Sequence, residues 1–283
     1  MRLLFFFLLG LLFLSSCKSL QYRLPDEAIY SAFAKADLPT TISYIHIDSL
    51  DLNIRVQSVT QGVENYNLLF LHGSPSSLTA WQAYLKDSLL HGTVNLHAVD
   101  RPGYGYSNFG KQMTAIDTQT KVISEVIDQL NLENVIAVGT SYGGPVAARL
   151  PIENNQIKAV VMVSPAIDPD HEKRVWQSDF TQWWLTRWLV PTGYRVAGDE
   201  KTVHAQELAS IQNDWSKVNV PVMHIHGDRD ELVPYINVVY SKAVFSNVEV
   251  ITIPNLGHEI AWKRPDLVIP YLLEMVERLK KAE

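Results

Sequence analysis

The sequence predicts an α/β fold: a mostly parallel sheet with helices on both faces and a helical cap inserted late in the chain. Three observations predict it. Short, uninterrupted apolar runs recur along the chain, the pattern of strands buried on both faces. Helix-period segments stand between several of them, the alternation that builds a covered parallel sheet. The stretch from about Asp168 to Val218 breaks that alternation and holds five of the seven tryptophans: Trp176, Trp183, Trp184, Trp188 and Trp215. Its length predicts a cap over the C-terminal edge of the sheet, with tryptophans that pack it onto the body and face a substrate.

The elements follow in order. Arg2 precedes Leu3 to Leu14, twelve residues that are apolar apart from Gly10. As a helix they rise about 18 Å, short of the roughly 30 Å hydrocarbon core, so residues 1–16 have the form of a secretory signal. Leu14-Ser15-Ser16-Cys17 resembles the lipobox of bacterial lipoproteins, which implies lipidation of Cys17 and attachment to a bacterial envelope membrane. Cys17 is the only cysteine, so no internal disulfide can form. Residues 17–40 read as a tether with room for one short helix, and 41–283 as the folded domain, with the cap at about 168–218.

Strands are expected at Ile42–Ile47 and Leu52–Val59, then at Leu68–Leu71, Leu96–Val99 and Val135–Val138. Three more follow at Ala159–Val163, Val222–Ile225 and Val248–Ile253. Between Thr114 and Leu130, the apolar residues Ile116, Val122, Ile123, Val126, Ile127 and Leu130 mark one helix face. Gly144–Leu150 reads as a helix with Pro145 in its first turn, where no intrahelical acceptor is lost. Arg264–Lys280 is the expected last helix.

The chemistry centres on Gly139-Thr140-Ser141-Tyr142-Gly143, set between an apolar strand and a helix. Strand, Gly-x-Ser-x-Gly turn and helix form a nucleophile elbow: the tight turn lifts the hydroxyl clear, and the helix N-terminus favours developing negative charge. A serine hydroxyl needs a base, and the base an orienting acid. His258, in Asn255-Leu256-Gly257-His258, follows the last strand. Asp230, in Gly227-Asp228-Arg229-Asp230, follows the strand before it. Asp228 is the close alternative for the acid and Asp168 a distant one. His224 and His226 share a strand face, which points to packing and hydrogen bonding rather than to a metal site.

With His72-Gly73-Ser74-Pro75 and Asp100-Arg101-Pro102-Gly103-Tyr104-Gly105 added, four motifs in order resemble the α/β-hydrolase family from about residue 42 onward. The resemblance implies Ser141 as nucleophile, Asp230 as acid, His258 as base, and an oxyanion hole from the backbone N–H groups of Ser74 and Tyr142. His72 is expected to brace the oxyanion loop, and Asp100 and Arg101 to hold a loop structurally.

Relatives that open epoxides or remove halide carry aspartate where this chain has Ser141. Proline-specific aminopeptidases of the family usually carry Gly at Ser74 and Trp at Tyr142. The expected activity is cleavage of a small-molecule carboxylic ester through an acyl-enzyme, with no cofactor and no metal. Amide, thioester or C–C cleavage, perhydrolysis, and a non-catalytic envelope binding protein are the alternatives. Hydrophobic residues are 47% and charged residues 19% of the chain, ordinary for a globular protein, and the net charge of −6 argues against a nucleic-acid partner.

Overall fold

The computed structural model describes residues 21–60 and 65–282. The signal-like segment 1–16 and Cys17 lie outside them. Eight strands form one sheet in the order β1-β2-β4-β3-β5-β6-β7-β8. They are β1 (Thr41–Ile47), β2 (Leu52–Val59), β3 (Asn67–Leu71), β4 (Asn95–Val99), β5 (Val135–Thr140), β6 (Ile157–Val163), β7 (Val222–Gly227) and β8 (Val248–Ile253). β1 and β2 pair antiparallel, as do β2 and β4, and every pairing from β4 through β8 is parallel.

The apolar runs are continuous because both faces are covered. Successive side chains point to opposite faces. In β3, Leu69 and Leu71 enter one core while Leu68 and Phe70 enter the other. β5 divides the same way, Val135 and Ala137 against Ile136 and Val138.

On the first face lie α2 (Ile116–Gln129) and α3 (Gly143–Glu153). All five expected core residues of α2, from Ile116 to Ile127, are buried there, with Leu130 packed at its end. The second face is covered by α1 (Asp26–Ala34), by Leu78, Trp81 and Tyr84, and by α6 (Pro265–Ala282). Helix α4 (Thr192–Ile211) belongs to the cap, and α5 (Ile236–Val244) connects β7 to β8.

Two expectations need correction. The stretch read as a tether is folded throughout its described part: α1 buries Ile29 and Phe33, and Asp26 pairs with the buried Arg55 at 2.6 Å. Gln21 and Tyr22 are already bound to α4. Gln21 Oε1 accepts the Gly193 N–H at 3.1 Å, and the Tyr22 and Tyr194 hydroxyls lie 3.0 Å apart. The cap tryptophans are the second correction. Trp215 is buried in the first core, but Trp176, Trp183, Trp184 and Trp188 are exposed and do not pack the cap onto the body.

That packing is done by other groups. Leu208 and Ile211 of α4 enter the first core. Within the cap, the Arg187 guanidinium grips both Asp199 oxygens at 2.7 Å, the two-pronged geometry that suits arginine. Thr181 sits so close to Gly198 that a Cβ there would lie 2.0 Å from its hydroxyl oxygen.

Candidate active site

The site residues Ser74, Ser141, Tyr142, Asp230 and His258 lie after the C-terminal ends of parallel strands, where such sheets open a crevice, and Cys17 lies outside the described residues. Ser141 follows β5 and precedes α3, with φ of +52°. A non-glycine residue rarely adopts this left-handed conformation, so the turn stores strain at Ser141. Its surroundings hold it there. The Ser141 N–H donates to the Val163 carbonyl at 3.2 Å, and its own carbonyl accepts from Gly144 and Ala166 at 3.0 and 3.2 Å.

The flanking glycines are required by close approach. A Cβ on Gly139 would lie 2.2 Å from the Gly143 carbonyl oxygen, and one on Gly143 would lie 2.4 Å from that of Leu71. A Cβ on Gly73 would meet Ser141 Cβ at 2.9 Å, so the His72–Pro75 loop lies directly against the serine.

That loop is fastened by a buried network. His72 Nδ1 faces the Gly73 carbonyl at 2.7 Å, so it donates, and Nε2 accepts the Arg101 N–H at 3.0 Å. Burial, then the Arg101 charge, holds His72 well below the usual histidine range, consistent with this neutral tautomer. The Arg101 guanidinium donates to the His72 carbonyl at 2.7 Å and to that of Gly73 at 3.1 Å. It also pairs with Glu200 of α4 at 2.7 Å. The Tyr104 hydroxyl donates to Glu200 at 2.6 Å and accepts from Ser74 Oγ at 2.5 Å. A carboxylate of the cap is thereby linked to the loop beside Ser141. The His204 ring of the same helix lies 4.5 Å from the Tyr142 ring.

Asp230 and His258 are brought together: Asp230 Oδ2 accepts from His258 Nδ1 at 2.8 Å. Asp230 Oδ1 accepts the backbone N–H groups of Leu232 and Val233 at 3.0 and 2.8 Å. Burial would raise the Asp230 carboxyl, but hydrogen bonds from His226, His258 and Val233 more than reverse this and hold it well below the usual carboxylate range. Asp228 instead accepts the Asn255 N–H and so braces the loop carrying His258. Asp168 is turned to His171, 2.8 Å away, and to the backbone of Asp170.

His224 and His226 form a directed chain into this site. His226 Nε2 faces the Val233 carbonyl at 3.0 Å and must donate, which leaves Nδ1 to accept from His224 Nε2 at 2.8 Å. His224 Nδ1 then accepts from Ser241 at 2.8 Å. Burial, then His226, holds His224 well below the usual range. Among the described residues, no group of three His, Cys, Asp or Glu side chains is placed to hold a metal ion.

Glu200 and Gln119 were not found by sequence reasoning, and Tyr104 stood in the Asp100–Gly105 motif without a role of its own. Each acts through a partner distant in the chain, and a lone glutamate in a cap helix carries no motif. His226 gave a signal, its alternation with His224, but not its link to Asp230.

A strained serine at an elbow, a braced loop beside it and a histidine–aspartate pair on neighbouring loops define a site built for nucleophilic chemistry. The sequence matches the alpha/beta hydrolase family over residues 68–270, and the chain belongs to that family and is an enzyme of it. It is 23% identical over 256 residues to a non-heme chloroperoxidase of Streptomyces lividans, covering 74% of this chain and 91% of that protein. It is 28% identical over 159 residues to the dihydrolipoyllysine-residue acetyltransferase component of an acetoin cleaving system of Cupriavidus necator. That match covers 56% of this chain but only 42% of the relative. Among solved structures, an esterase from Exiguobacterium antarcticum superposes with a TM-score of 0.69 at 19% identity, covering 84% of this chain and 100% of the esterase.

Proposed function

We propose that this enzyme cleaves carboxylic esters through an acyl-serine intermediate and is held to a bacterial envelope membrane by lipid on Cys17. The carrying observation is the pairing of His258 with an Asp230 carboxylate that two backbone N–H groups and His226 keep ionised. With Nδ1 donating to Asp230, His258 has Nε2 as its basic nitrogen. Ser141 Oγ attacks the acyl carbon and its proton passes to Nε2. The backbone N–H groups of Ser74 and Tyr142 stabilise the oxyanion.

As the tetrahedral intermediate collapses, the proton moves from Nε2 to the leaving alkoxide and the alcohol departs. Water then repeats the sequence: His258 takes its proton, the hydroxyl adds to the acyl carbon, and Ser141 leaves with the proton returned. Atoms balance as ester plus water to acid plus alcohol. The likeness to a non-heme chloroperoxidase favours a second reading, in which hydrogen peroxide replaces water and the product is a peracid.

Labelling with a fluorophosphonate probe, alongside turnover of a panel of esters, amides and thioesters, tests the proposal. Ser141→Ala is expected to abolish labelling and to lower ester turnover by about 10⁶-fold. Labelling that persists in Ser141→Ala removes Ser141 from its role.

A further inference from the structure

The cap carries an exposed apolar surface. Trp184 is 77% exposed, Trp188 72%, Trp176 64% and Trp183 53%, with Leu189 at 63% and Phe180 at 45% beside them. Single exposed apolar groups are ordinary, but so many large ones within fourteen residues, Trp176 to Leu189, are not. Trp176 and Phe180 meet edge to face at 5.7 Å, and the others follow on one short helix and its flanks. Tryptophan is the side chain enriched at the headgroup level of bilayers, where one end of the ring is apolar and the other wet.

A second, independent observation says what lies next to this surface. The chain outside the structure ends at Leu20, and Gln21 and Tyr22 are fixed against Gly193 and Tyr194, in the first turn of α4. Leu189 precedes Thr192, the start of that helix, by three residues. Cys17 stands four residues before Gln21 and so can be no more than about 14 Å from it. The N-terminal segment, which carries both the apolar run and the lipidation candidate, therefore joins the domain at the first turn of α4, a few residues along the chain from the exposed Trp188 and Leu189.

We infer that this face of the cap docks on the phospholipid bilayer, with its tryptophans in the interfacial layer, in the membrane to which the N-terminus is attached. The inference rests on the membrane attachment proposed above for its setting. Through Glu200, by way of Arg101 and Tyr104, the same cap is linked to the loop beside Ser141, and its His204 ring lies against the Tyr142 ring. Docking would thus hold the catalytic crevice close to the lipid surface, where esters with long acyl chains reside.

The test uses the full chain on vesicles of phosphatidylethanolamine and phosphatidylglycerol, with and without bromine on the acyl chains. Brominated vesicles should quench part of the tryptophan emission, and Trp184→Ser with Trp188→Ser should at least halve the quenched part. Turnover of a water-soluble short ester should be unchanged in that variant, which also verifies its fold. Turnover of a long-chain ester carried in the vesicles should fall several-fold.

Vesicle-bound protein whose emission is not quenched would overturn docking while leaving the anchor intact. A dimer in lipid-free solution that the two substitutions dissolve, in place of quenching, would assign the face to a second copy and also overturn it. Quenching that persists in Cys17→Ser protein while that protein stays on membranes in cells would sink the lipid anchor and keep the docking surface.

Discussion

Asp230 is bound on both oxygens, and the bonds come from three parts of the chain: its own loop, His258 and the His226 ring. Such a carboxylate stays charged and stays in place, the two properties an orienting acid needs. Asp228, two residues earlier, instead holds the Asn255 N–H of the histidine loop, while the bond to the His258 ring is made by Asp230. Asp230→Asn should therefore lower turnover by about 10⁴-fold, whereas Asp228→Asn should cost far less and act through loop order. Steady-state kinetics of both variants decide this. Equal losses, or a greater one for Asp228, would exchange their roles.

At the scale of elements, the cap and the His72–Pro75 loop are joined through the buried Arg101–Glu200 ion pair. Glu200 accepts from Arg101, Tyr104 and Gln119, so Glu200→Gln leaves the Arg101 charge without its counterion. Removing one partner of such a pair costs about 3–5 kcal/mol. Because Arg101 also holds the carbonyls of His72 and Gly73, kcat should fall more than KM rises. Urea unfolding with kinetics checks both, and unchanged kcat in the folded variant would separate the network from catalysis.

The cap also holds a largely buried carboxylate, Glu172, bound by His204 at 3.1 Å and by Lys201. Burial alone would raise it, but the bond from His204 and the Lys201 ammonium bring it from 4.5 down to about 2. A carboxyl depressed in the folded state adds stability that is fully present above its unfolded value and is lost as pH falls through the folded one. The window is pH 4.5 to about 2, and the size is on the order of 3 kcal/mol. Asp230 contributes with the same sign, so the measurement is a difference. Urea midpoints from pH 5 to 2 should fall less steeply in Glu172→Gln than in the unaltered protein.

For the whole molecule, legibility followed the range of the interaction involved. Parallel strands such as Leu68–Leu71 were readable because burial on two faces leaves a local trace, an unbroken apolar run. The elbow was readable because its two glycines and its serine stand together in five consecutive residues, between an apolar run and a helix-like stretch. The antiparallel attachment of β2 to β4 and the Glu200–Arg101 pair depend on residues dozens of positions apart, which no window of sequence displays. The cap tryptophans were misread for another reason: hydrophobicity predicts removal from water, not which surface removes it. Helix α1 was allowed for but not located, since Ile29 and Phe33 are its only buried residues and give little periodicity.

One prediction belongs to this scale. Cys17→Ser should release the protein from the membrane fraction or block its processing, while the purified protein keeps its ester turnover. Fractionation with an activity assay tests it, and a processed Cys17→Ser protein that remains tightly bound would count against lipidation.

The Arg101–Glu200 contact also bears on how such an enzyme can change its substrates. A cap inserted between two strands looks like an exchangeable module, free to be replaced by one shaped for another substrate. Here the replacement would have to bring a carboxylate to the position of Glu200, or the body would retain a buried, unpaired guanidinium next to its own nucleophile loop. Specificity in this lineage should therefore drift by changes within the cap's outer helices more readily than by wholesale transplantation, and a chimera carrying a foreign cap should recover activity when a glutamate is restored at that one position.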